Sequence, residues 1–120
     1  LNTWWVSGTY NRKGAQEKSE GAKPVGIIAV GYGQTQGVPH KTKTAEQVSS
    51  YDGEAPQWFK DGIEAALLAP TALAKQAFTI NGIENKVSIF CDNGIFTGVD
   101  TGLVKYHFEL GAGKDSFEWA

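Results

Sequence analysis

Few side chains in this sequence could carry a reaction by themselves. There are two histidines, His40 and His107, and a single cysteine, Cys91. A metal site needs several ligands at a regular spacing, and no carboxylate or Cys stands at ligand spacing from either His. No Gly-x-Ser-x-Gly elbow and no Cys/His signature marks a nucleophile. Paired carboxylates for acid–base work are not recognisable. What remains is binding chemistry. Lys41 and Lys43 follow a strand-like run ending in Gly31-Tyr32, and their charge could hold a phosphate. Their plainer reading is as solvated loop lysines. Thr71 follows Pro70 where an apolar helix must stop, so a hydroxyl and backbone N–H groups gather at a change of direction. That corner suits a ligand or a packed turn. An enzyme built on this set would take its chemistry from a cofactor.

The glycine-rich stretch after the strand is not a nucleotide loop. Gly31, Gly33 and Gly37 are spaced one residue too long for the dinucleotide fingerprint. Pro39 and a basic run stand where a helix should open. No Gly-Lys-Ser/Thr is present, which excludes a P-loop. His107 reads as a half-buried helical side chain with a hydrogen bond. Cys91 reads as a small apolar residue on a strand.

The chain has 120 residues, which predicts one domain's worth of core. Apolar residues make up 41%, as in a soluble globular protein, and no apolar run reaches the ~20 needed to cross a bilayer. The net charge of -2, with signs interspersed, excludes an electrostatic case for nucleic acid. One cysteine excludes an internal disulfide and fits a reducing cytoplasm. The sequence opens on Leu1 and contains no methionine. That leads to the expectation of a processed or truncated polypeptide.

The elements that must position these residues can be taken in order. Thr3-Trp4-Trp5-Val6 predicts a strand whose two Trp face opposite ways. Residues 11–23 are polar and predict a loop or short helix. Pro24 to Gly31 is continuously apolar and predicts a strand buried on both faces. Thr44 could cap one helical turn, with Gln47 behind it. Residues 51–55 read as a linker. From Pro56 to about Ala69 a helix is predicted, with Phe59, Ile63 and Leu67 as its buried stripe. Gly62 and the alanines would let a helix or flat ring approach. Residues 77–80 and 87–91 alternate as strands, and Asn81-Gly82 predicts the turn between them. Val99 to Gly111 reads as a second helix. Its buried side is expected at Val99, Leu103, Tyr106/His107 and Leu110, with Gly111 as its stop. Phe117-Glu118-Trp119 begins another extended segment.

Three stretches together resemble the FMN-dependent nitroreductase family. Thr3 to Gly8 is similar to that family's Gly-x-x-Trp-x-Gly strand entry. Pro24 to Lys43 is similar to its buried strand ending Gly-Tyr-Pro and continuing through basic residues. Ala69-Pro70-Thr71 to Phe78 resembles its Ala-Pro-Ser-x-x-Asn-x-Gln-Pro-Trp turn. The order of the stretches, and the likeness of Trp119 to Trp4 or Trp5, point to a duplication, and the pattern from Trp58 to Leu73 together with Tyr106-His107-Phe108-Glu109 closely resembles a tandem branch in which one chain mimics the two-subunit family dimer. The resemblance implies an α+β nitroreductase-like fold, a mixed or antiparallel sheet flanked by helices. Residues 1–50 would be the tail of a first repeat and residues 51–120 a second repeat, together the C-terminal part of such a protein.

For function, the resemblance implies an oxidoreductase using FMN and NAD(P)H to reduce nitro or quinone-like acceptors. The cofactor-binding positions it implies are Lys41 and Lys43 on phosphate, Thr71 for the turn Ser, Gln76 for the Gln, and Tyr32 after the strand glycine. No catalytic side chain and no metal is implied. Ala74 departs from the family Asn, and Ala77-Phe78 from Pro-Trp. The implied partners are a small-molecule electron acceptor and the upstream half of the same protein or a second subunit, with neither nucleic acid nor membrane. Two other readings stay open. One is a non-catalytic structural or dimerisation half, packing Trp4, Trp5, Trp58 and Trp119 against a missing lobe. The other is a phosphate-ligand module built on Lys41 and Lys43.

Overall fold

A computed structural model describes residues 1–120. They divide into two compact units, Leu1–Pro39 and His40–Ala120. The whole is α+β, with four helices and two sheets.

In the first unit, β1 (Asn2–Val6) pairs antiparallel with β2 (Ile27–Gly31), placing Trp4 opposite Ala29 and Trp5 opposite Ile28. Between them lies α1 (Arg12–Lys18), whose first turn is capped by Asn11. The Asn11 side-chain oxygen accepts from the Gly14 N–H at 3.0 Å. Gly26 is required where it stands, because a Cβ would come within 2.2 Å of the Trp5 ring. The expectation of a doubly buried β2 is corrected. Ile28 and Val30 are 63% and 60% exposed. An apolar run implies burial on both faces only where layers cover both, and this ribbon has just two strands.

The second unit is a mixed four-stranded sheet in the order β3 (Ser49–Tyr51), β4 (Phe78–Ile83), β5 (Lys86–Cys91), β6 (Glu118–Trp119). The β4–β5 pair is antiparallel, and both outer pairings are parallel. The one-turn helix α2 (Ala45–Val48) leads into β3. It is opened by the Thr44 N–H donating to the Gln47 side chain at 2.9 Å. The helices α3 (Gln57–Leu67) and α4 (Thr97–Ala112) pack against each other. Pro56 stands at the N-cap of α3.

Along β4 burial alternates, with Phe78, Ile80 and Gly82 inward. Asn81-Gly82 is therefore not the turn, a second correction. The hairpin closes two residues later, at Glu84-Asn85, between the paired Ile83 and Lys86. Glu84 takes the left-handed conformation there, φ 52. Gly82 serves close packing instead. A Cβ on it would meet the Tyr51 ring at 2.4 Å and the Phe59 ring at 2.8 Å.

The α3 stripe of Phe59, Ile63 and Leu67 is buried as the periodicity predicts. The α4 stripe is not the predicted one. Val104, Phe108 and Ala112 are buried, while Tyr106 and Leu110 are 60% and 65% exposed. This helix has apolar residues on several sides, so sequence periodicity selects no single face. Gly111 is also not the stop. It lies inside α4 against α3, where a Cβ would come 2.4 Å from the Asp61 carbonyl oxygen. Gly113 at φ 81 ends the helix, its N–H donating to the Glu109 carbonyl at 3.0 Å.

An aromatic cluster closes the core. Trp58 stacks on Phe117 at 5.9 Å, and Phe117 meets Phe108 edge-on at 5.1 Å. Trp119 packs edge-on against Phe117 at 5.0 Å, and its indole N–H donates to Glu109 at 2.9 Å. Trp58 and Trp119 thus pack against this unit's own core and stay partly exposed. Burial of Phe59 and Phe108 contributes on the order of 2–3 kcal/mol each. No helix is long and apolar enough to cross a membrane.

Candidate functional site

The corner after α3 is built by the way its helix ends. Leu68 and Ala69 close it with short bonds to Ala65 and Ala66, and Pro70 can supply no further N–H. Thr71 is extended, and a 3-10 turn runs from Ala72 to Ala74. Three non-glycine residues here lie in the left-handed region: Leu73 (φ 54), Ala74 (φ 52) and Gln76 (φ 47). Each such residue costs roughly 1–2 kcal/mol, so the surroundings must hold the turn in place.

They do so with a dense set of hydrogen bonds. The Ala72 N–H donates to both carboxylate oxygens of Asp100, at 3.1 Å each, from the first turn of α4. The Gln76 N–H donates to the Thr71 hydroxyl oxygen at 3.0 Å. The Gln76 side chain, 1% exposed, donates from Nε2 to the Leu67 carbonyl at 2.9 Å. Its Oε1 accepts the backbone N–H of Lys43 at 2.7 Å. The Lys43 ammonium in turn donates to the Gln76 carbonyl at 3.0 Å. Burial pushes the Asp100 carboxyl above its ordinary range, and the Ala72 N–H draws it partly back.

The structure therefore gathers Lys43, Thr71 and Gln76, three of the five positions named from sequence. Lys41 is exposed in the extended segment before α2. Tyr32 belongs to the first unit, just past β2, and is 90% exposed. It borders a shallow groove of about 310 Å³ that includes Trp4 and Val30. Asp100 was missed by sequence reasoning. Its place in the first turn of a helix was visible, but its reach to Ala72 depends on the packing of two segments 28 residues apart.

A second cleft in the larger unit, about 460 Å³, lies between α3 and the α2–β3 segment. Phe59 and Ile63 line it, with Glu46, Lys60 and Glu64. No sequence motif marked it, because its walls come from segments that only the fold brings together. His107 Nδ1 lies 2.9 Å from the Leu103 carbonyl and so carries the proton, in the half-buried helical role expected of it. Cys91 is half-buried on β5. No group of three or more His, Cys, Asp or Glu side chains could hold a metal.

The residues at the corner fit one end of a flavin nucleotide and not the other. Exposed Lys43 suits its phosphate, and the Thr71 hydroxyl keeps its own proton free to donate. The ring's polar edge finds no partner, since the Gln76 amide is buried and occupied and Ala74 brings no polar side chain.

Comparison with known proteins bears on what this corner belongs to. The chain matches the model of a family described as "Putative TM nitroreductase" over residues 1–112. No curated protein and no solved structure matches it significantly. The match takes in the Trp4-Trp5 strand, the apolar strand with its lysines, and the corner at Thr71 together, and on that extent the chain belongs to this nitroreductase family.

Proposed function

We propose that this chain is part of an FMN-dependent NAD(P)H oxidoreductase that reduces nitro or quinone-like acceptors. The observation that carries this reading is the family match, which covers residues 1–112. FMN, when bound, supplies the electron transfer between nicotinamide and acceptor. This chain's own part is binding and orientation. Lys41 and Lys43 meet the phosphate, and the Thr71 hydroxyl donates at the corner. The exposed small surface at Ala74 leaves room for a flat ring. The ring's polar edge is met by residues from the upstream half of the same protein or from a second subunit.

The test is a visible spectrum of the purified chain titrated with FMN, beside a polypeptide extended upstream of Leu1. The extended polypeptide is expected to bind flavin, turn yellow and oxidise NAD(P)H in the presence of a nitro or quinone acceptor. If it stays colourless and inactive with excess FMN, the reading fails.

A specific observation favours a second reading, that of a non-catalytic packing half. Trp4 is 70% exposed on one face of the β1–β2 ribbon, and Ile28 and Val30 are 63% and 60% exposed on the other. An isolated two-stranded ribbon is marginally stable in water, so such faces call for cover. Under this reading the extended polypeptide would be more stable than the chain alone and equally colourless.

A further inference from the structure

The resemblance puts Gln76 against a cofactor; the geometry points to another role. We propose that Gln76 is a positioning residue that clamps the segment through Lys43 onto the end of α3, so that the Lys43 ammonium is a preformed anion receptor before any ligand arrives.

The clamp is built from atoms at both ends of one residue. The buried Gln76 amide bridges the Leu67 carbonyl of α3 and the Lys43 backbone N–H, at 2.9 and 2.7 Å. The Gln76 carbonyl accepts one N–H of the Lys43 ammonium at 3.0 Å. Backbone and side chain of Lys43 are thus both tethered to a single residue 33 positions away. The ammonium has three donors, so two remain for an anion, and Lys43 is exposed. An exposed lysine normally surrenders considerable rotamer freedom on binding; here part of that ordering is already in place.

The left-handed turn has a matching explanation. The conformation at Gln76 (φ 47) directs its side chain inward to α3. The Thr71 hydroxyl and the Asp100 carboxylate fasten the turn on either side. A residue as strained as Gln76 persists where neighbouring contacts over-determine it, and this clamp supplies those contacts.

The donors call for an anion, and the flavin reading narrows it to a phosphorylated compound, for which inorganic pyrophosphate is the probe. The anion half of the inference rests on the flavin reading's phosphate end, and the clamp itself does not. Two measurements on the ligand-free chain separate them. Amide exchange is expected to show the Lys43 N–H protected in the wild type. In Gln76→Ala that protection should be lost, while amides of the β4–β5 hairpin stay protected. An unprotected Lys43 amide in the wild type overturns the clamp, whether or not the variant folds. Pyrophosphate affinity, by calorimetry, is expected to fall roughly tenfold in Lys43→Ala and similarly in Gln76→Ala. The double variant should lose no more than either alone, because both remove the same interaction. Additive losses, or no pyrophosphate binding by the wild type, overturn the receptor. Failure of the flavin titration alone leaves both results standing.

Discussion

Gly62 of α3 lies flat against the ring of Phe108 of α4, so close that a Cβ at Gly62 would meet a ring carbon at 2.6 Å. One turn of helix elsewhere, Gly111 of α4 makes the reverse approach to the α3 backbone at Asp61. The two glycines set how near the helices come. They also decide which face of α4 is buried, because only the face carrying Val104, Phe108 and Ala112 can meet α3 at that distance.

Gly62→Ala should therefore destabilise the larger unit although alanine is the better helix former. The helical gain is about 1 kcal/mol, and overpacking costs about 1–3 kcal/mol. Gly111→Ala should cost more, since its Cβ would strike backbone rather than a ring that can shift. Chemical denaturation of the two variants beside the wild type checks the order.

Asp100 makes a prediction about pH. Its folded-state pKa is raised, by burial above all, so the folded chain holds this proton more tightly than the unfolded chain does. The stability that the protonated form contributes is full below the ordinary value of 3.8 and is lost as pH rises through the raised folded value. Asp100→Asn keeps an acceptor for the Ala72 N–H and cannot ionise. Relative to it, the wild type should lose stability across that window as pH climbs. Thermal melts of both proteins over the acid range read the difference, and a constant gap would contradict it.

At Ala74 the backbone is left-handed and the side chain exposed. Asparagine tolerates that conformation better than alanine does. Ala74→Asn should leave stability unchanged or raise it by a few tenths to about 1 kcal/mol. It would also return a polar amide to the corner. If the flavin reading holds, FMN should bind the extended polypeptide of this variant more tightly than the parent, as a spectroscopic titration would show.

Much of the architecture was legible in local patterns. The α3 stripe of Phe59, Ile63 and Leu67, the β4–β5 pairing and the Thr44 helix start depend on neighbours within a few residues, and the structure has each of them. The three-residue strand β3 was not legible. Ser49-Ser50-Tyr51 has no apolar alternation, and it is a strand only because β4 lies beside it. The same limit applied to glycine. Gly82 and Gly111 looked like turn and stop, and both prove to be points of close contact.

At the site, the residue types came from sequence and their duties came from the fold. Sequence alone excluded the dinucleotide fingerprint and the Gly-Lys-Ser/Thr phosphate loop, because each needs particular residues at fixed local spacing. It also determined that a helix must stop at Pro70, because proline lacks the N–H to continue it. Only the tertiary structure decided that Gln76 turns inward to hold Lys43, and that Asp100 reaches Ala72. Those bonds join segments 33 and 28 residues apart, and nothing in a one-dimensional pattern fixes which distant backbone a buried amide or carboxylate will meet.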